Sequence, residues 1–175
     1  MLHMGQGRLD EAVADLQTAL EIALDAGNLR FETNVHRYMG DLAQLQGCLD
    51  EALQQFERAL VLAREASYRS GEGQVLACLW RLHNVLGRMA EAHREPSGSE
   101  FILREVQDPL NLALLLCHFG EYERVAGDLN AAGQHLSTAT SLAQGLAARA
   151  DSELGREIVK LRAALQAGAS GTALA

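Results

Sequence analysis

Apolar positions recur along this chain at steps of three and four residues. The pattern is clearest from Leu49 to Ala66, where Leu49, Ala52, Leu53, Phe56, Ala59, Leu60 and Ala63 form one stripe. Such a stripe marks an amphipathic helix with one face turned to a core. Asp50 and Glu51 stand in its first turn and Arg64 near its last, each complementing the helix dipole. A partner helix is predicted before it, from about Leu29 to Gln46, with counterparts from about Gly71 to Leu86 and from Leu110 to Ala126. Gly47 suits the tight turn between paired helices. Loops are predicted at Gly27-Asn28, Tyr68 to Gly71 and Gln107 to Pro109. Asp108-Pro109 is a start signal, because a first-turn proline lacks only an N–H that has no partner there.

The pattern repeats. GRLDEA from Gly7, GCLDEA from Gly47, GRMAEA from Gly87 and GDLNAA from Gly127 align without gaps at a period of 40 residues. The register continues downstream: Ala12, Ala52, Ala92 and Ala132 coincide, as do Ala19, Ala59, Ser99 and Ala139, and Ile22, Leu62, Ile102 and Leu142. Leu16, Phe56 and Leu136 coincide as well, with Pro96 the exception. A fixed period of this length is the mark of a stacked repeat architecture.

The helix pairs resemble the tetratricopeptide repeat family over about residues 1–150. Gly40 and Gly120 fall at the family's small residue in helix A. Ala52 and Ala132 match its helix-B alanine, Phe56 its aromatic, and Ala59 and Ala139 its second alanine. Small side chains let helices approach closely while the aromatic fills the space between them. The longer period is similar to the subclass seen in MalT-like regulators, kinesin light chains and bacterial multidomain kinases and ATPases. HEAT repeats share this length, but their Pro and Asp-Arg signals are missing. The resemblance implies an all-α, right-handed superhelical solenoid of antiparallel helix pairs, with pairs at about 29–66, 71–106 and 110–148.

Three places depart from the period. Leu2-His3 before Gly7-Arg8 matches Leu82-His83 before Gly87-Arg88, so the chain is expected to open near the end of a helix A. Val13, Leu16, Leu20 and Leu24 then lack a packing partner, and self-association or fraying is expected through residues 1–26. In the third copy, helix B should span Met89 to Val106, but Pro96 and Gly98 interrupt it, at a cost of about 3 and 1 kcal/mol in a straight helix. A kink or break is expected near 95–99, with Ser97 and Glu100 restarting the helix as a capping box. After the last pair, Asp151-Ser152 begins a helix whose Leu154, Ile158, Leu161 and Leu165 form one stripe. It is expected to cap the array over 151–166, followed by a disordered tail at 167–175. A finished end and an unfinished start look like the C-terminal part of a longer, bacterial-type protein.

Composition supports helix and narrows function. Two prolines in 175 residues, and a predominance of Leu and Ala over β-branched residues, disfavour sheet. The net charge of −8 argues against non-specific nucleic-acid or anionic-membrane binding. No apolar run suits a membrane span or a signal peptide. Cys48, Cys78 and Cys117 suit a reducing, cytoplasmic setting. There is no GxxxxGK[ST], HExxH or GxSxG motif, and the six histidines do not fall at ligand spacing. Gly5, Gly7, Gly71 and Gly73 are read as turn glycines rather than a dinucleotide loop, since no strand precedes them. Trp80 occupies the small-residue position and is read as a packing residue that distorts its repeat. No catalytic residue, metal or cofactor is expected.

The working surface of such an array is the concave face lined by the A helices. By family geometry its residues are Asn34, Arg37, Tyr38, Asp41 and Gln44 in the second repeat. In the third they are Gln74, Cys78, Arg81 and Asn84, and in the fourth Leu114, Cys117, His118, Glu121 and Arg124. Arg37, Arg81 and Arg124 can fork onto carboxylates. Asn34, Gln74 and Asn84 can bond a peptide backbone. Relatives with this period often carry Asn in mid helix A, where Tyr38, Cys78 and His118 stand here. The expected function is a non-catalytic scaffold or regulatory module binding an acidic protein segment in the groove. The alternative is a ligand-sensing module whose curvature responds to a small effector.

Overall fold

The computed structural model describes residues 9–88 and 96–172, with side chains at 9–88 and 98–167. Among the described residues all regular structure is α-helical. The helices are α1 (Leu9–Asp25), α2 (Leu29–Leu45), α3 (Leu49–Glu65), α4 (Arg69–Val85), α5 (Pro96–Glu105), α6 (Pro109–Ala126), α7 (Leu129–Gly145) and α8 (Glu153–Thr172).

Helix starts at 9, 29, 49, 69, 109 and 129 reveal a finer period of 20 residues within the repeat of 40. The turns explain it. Left-handed backbone recurs at Gly27, Gly47, Gly87 and Gly127, and equally at Ser67, Gln107 and Ala147. Each of these residues returns its N–H to a carbonyl three residues back, and its successor bonds five back, as in Ser67 to Arg64 and Tyr68 to Ala63. This paired bonding satisfies the last carbonyls of a helix and reverses the chain at once. Asn28, Asp108 and Asp128 then accept from the N–H three residues on and start the next helix.

The chain divides into two compact units, residues 1–102 and 103–175. In the first unit α1 packs on α2, α2 on α3, α3 on α4, and α2 directly on α4. Ala43, Ala52, Phe56, Ala59, Val75, Cys78, Leu79 and Leu82 make its larger core cluster. Gly40 allows this packing, because a Cβ there would lie 2.5 Å from the Phe56 ring. Trp80, in the same register position, is buried in α4. Gly71 and Gly73 do not form a turn: both are buried in the first turns of α4. At Gly71 the reason is close approach, since a Cβ would collide with the Tyr68 ring.

In the second unit α6 packs on α7, and α8 packs on both. Thus α8 stands to α6 and α7 as α4 stands to α2 and α3. Ser152 accepts from the Gly155 N–H and starts α8, whose Leu154, Ile158 and Leu161 are buried. The helix runs to Thr172, beyond the expected end at 166. The alanines of this stretch favour helix, and no proline ends it. Helix α5 begins at Pro96, one residue ahead of the expected Ser97 restart. Of the expected break at 95–99, residues 96–99 are helical and residue 95 lies outside the described residues, as do the first helix end near Met1 and residues 173–175.

Candidate partner-binding face

Asn34, Arg37, Tyr38, Asp41 and Gln44 follow each other at three- and four-residue steps along α2, which gathers them on one face. Gln74, Cys78, Arg81 and Asn84 do the same along α4. Because α2 and α4 touch directly, the two rows meet. Their meeting point is Asp41. It accepts from Arg81 Nη2 at 2.6 Å on Oδ1 and from Arg37 Nη1 at 3.3 Å on Oδ2. Gln44 Oε1 takes a second bond from the same Arg81 Nη2, at 3.3 Å. The Arg37 guanidinium stacks on the Tyr38 ring at 4.1 Å, and its Nε is buried without an acceptor.

Two guanidiniums against one carboxylate leave a local surplus of one positive charge, within a chain of net charge −8. Burial is the largest influence on both arginines and works against their charge. Cys78 and Asp41 beside them outweigh it, so both are pushed above the ordinary arginine value. The Cys78 thiol is driven the other way in reactivity: burial first, then Asp41, push it up to about 11. It is therefore an inert neutral neighbour at physiological pH. Tyr38 is the most exposed member of the α2 row, while Asn34, Gln74 and Asn84 are half-buried. Gln74 bonds Ser70, and Asn84 donates to the Trp80 carbonyl.

The remaining expected residues lie in the second unit. Arg124 forks onto Glu121 through Nε and Nη2, both at 2.8 Å. That hydrogen bonding, against a smaller effect of burial, holds the Glu121 carboxyl below its ordinary range. Cys117 is buried and, with Glu157 adding to burial, is pushed up to about 12. Leu114 and His118 are half-buried on α6. All three arginines singled out in the sequence therefore already meet carboxylates of the chain: Arg37 and Arg81 share Asp41, while Arg124 has Glu121.

Sequence reasoning placed Asp41 on this face without seeing that it joins two repeats. The signal was present: Arg37 and Asp41 are spaced i, i+4, and Asp41 and Arg81 share a repeat position. A second network was missed. Glu32, buried in α2, meets Arg58 of α3 at 3.2 Å, and His36 bonds Gln55 at 2.7 Å. It ties α2 to α3 on another face. Among the described residues, no group of three or more His, Cys, Asp or Glu side chains is placed to hold a metal. No described helix is long and apolar enough to cross a membrane.

Helix pairs in chain order, with glycine under an aromatic at Gly40 and Phe56, meet the expectation for this kind of repeat. Residues 1–65 match the tetratricopeptide repeat family model. The match covers α1 to α3, and the same helix spacing continues through α4, α6 and α7. No curated protein matches the chain. Among the described residues each unit is all-α with neighbouring helices packed in sequence, a fold consistent with tetratricopeptide-like helical repeats. Repeats of this family generally mediate protein–protein interaction and are typically non-catalytic.

Proposed function

We propose that this chain is a protein-interaction module whose α2–α4 face takes an acidic segment of a partner. The observation that carries the reading is the surplus positive charge of Arg37 and Arg81 over Asp41 on a polar, partly exposed face. In a chain of net charge −8, such a spot selects carboxylates and repels other bases. Tyr38 and Asn34 extend the contact along α2, and Gln74 and Asn84 along α4. In the second unit, taken by itself, Arg124 is already matched by Glu121, with His118 half-buried on the same helix. The 40-residue period supports kinship with the longer-helix subclass and with bacterial-type cytoplasmic regulators. Of the α1 residues expected to lack a packing partner, Leu16 is buried and Val13 and Leu20 pack with it against Val35 and Leu42 of α2, because α2 supplies that partner; Leu24, 56% exposed, is the one that supports self-association near the first helix.

The test is an NMR titration of the full chain with acetylated, amidated hexaglutamate, and with hexalysine as control. Shifts should gather on residues 34–44 and 74–84, and weaken as salt rises from about 0.02 to 0.5 M, where exposed charges are screened. Arg81→Ala should weaken binding. Equal response to hexalysine, or shifts scattered over both units, would sink the reading.

A further inference from the structure

The donor geometry of Arg81 goes further than surplus charge. A guanidinium offers a carboxylate two bidentate edges, Nε with Nη2 or Nη1 with Nη2. Arg124 uses the first of these on Glu121. In Arg81, Nη2 donates twice, to Asp41 at 2.6 Å and to Gln44 at 3.3 Å. Nη2 belongs to both edges, so neither is free. Nε and Nη1 carry the three remaining hydrogens, and Arg81 keeps 32% of its side chain exposed.

We infer that Asp41 and Gln44 act as a built-in ligand for Arg81, closing the face until an incoming carboxylate displaces them from Nη2. This rests on the reading of the α2–α4 face as an acidic-peptide site and adds how that site is regulated. Asp41 is suited to the part. It is tethered one turn from Arg37 on α2, so when it releases Arg81 it keeps Arg37 as a partner. The Tyr38 ring stacked on the Arg37 guanidinium holds it in place throughout. The occupant exchange is carboxylate for carboxylate. Its free energy is therefore a difference between two similar bonds, and recognition depends on a partner whose acidic groups are several and closely spaced.

The alternative role for Asp41 is positioning: holding Arg81 ready for the partner. The two roles predict opposite signs. With Asp41 as a built-in competitor, Asp41→Asn removes a charge from the rival and raises the local surplus, so hexaglutamate binds roughly three- to tenfold tighter at low salt. Gln44→Ala shifts binding in the same direction by less. The Arg81 Nε–H resonance moves on peptide addition. If Asp41→Asn binds equally or more weakly while Arg81→Ala still loses binding, the face stands and the built-in ligand falls. If neither the wild type nor either variant responds to hexaglutamate, the face itself is refuted, and this inference with it. Trp80 fluorescence checks that each variant folds, and should Asp41→Asn fail that check, the sign of the Gln44→Ala effect decides.

Discussion

Gly40→Ala is the sharpest test of how the repeat is packed. In an open helix the change is favourable by about 1 kcal/mol, because alanine has less backbone freedom to lose. At Gly40 the new methyl would lie 2.5, 2.6 and 2.9 Å from three carbons of the Phe56 ring. Carbon–carbon contact settles near 3.5–4.0 Å, so ring and helix must part by about 1 Å. The ring is fully buried, in one cluster with Ala43, Ala52 and Leu79. Overpacking of this kind costs about 1–3 kcal/mol, towards the upper end where the neighbour is rigid. The net expectation is a loss of about 1–2 kcal/mol, with propensity opposing strain. Gly133, also inside a helix but with nothing within 4 Å of its would-be Cβ, is the control. Gly133→Ala should gain about 1 kcal/mol. Urea unfolding followed by the fluorescence of Trp80, the single tryptophan, reports the first unit, and circular dichroism reports both. In a Phe56→Leu background the Gly40→Ala penalty should shrink by more than about 0.5 kcal/mol, as for residues in contact. A Gly40→Ala protein as stable as wild type, or a penalty indifferent to Phe56, would refute the packing argument.

The left-handed turns make a second, two-sided prediction. Ser67→Gly, Gln107→Gly and Ala147→Gly should each stabilise by about 0.5–1 kcal/mol, while Gly27→Ala and Gly47→Ala should destabilise by about 1 kcal/mol, read from urea midpoints. Acid sensitivity follows from Glu72. Burial there favours the neutral acid, but hydrogen bonds from Arg64 and Arg69 outweigh it and hold the carboxyl below its ordinary value. A lowered native pKa contributes stability that is present above the unfolded value, about 4.3, and is lost as pH falls through the native one. Glu72→Gln should therefore flatten the acid limb of a melting-temperature profile, and an unchanged limb would count against the pair. Thiol labelling at pH 8 should consume one equivalent of reagent at exposed Cys48, and the buried Cys78 and Cys117 only after unfolding. Fast reaction of all three would contradict the core.

The ends of helices were legible because turn chemistry is local. Gly47 and Asp108 announce themselves by residue type, and the predicted spans from Leu29, Leu49 and Leu110 differ from those observed by a residue or two. Ser67, Gln107 and Ala147 hide the same turn behind residues that do not favour it, so the period of 20 could not be seen until the backbone was. Trp80 shows the reverse. By type it breaks the small-residue rule, yet it is buried in a repeat whose aromatic position is Pro96 instead of Phe56, so large and small have changed places in sequence. Gly71 was misplaced because a glycine demanded by a neighbouring ring looks the same as one demanded by a turn.

From the residues alone came the all-helical class, the period, the pairing of helices and the face on which polar groups gather. These depend on side-chain size and spacing, which are written along the chain. Whether Arg81 was free or engaged depended on Asp41, 40 positions away, and on α2 touching α4. The division at residues 102 and 103, and the placing of α8 against both α6 and α7, depended likewise on contacts distant in sequence. Charge pairing acts through space over a few ångströms, and only folding sets which distant groups come within that range.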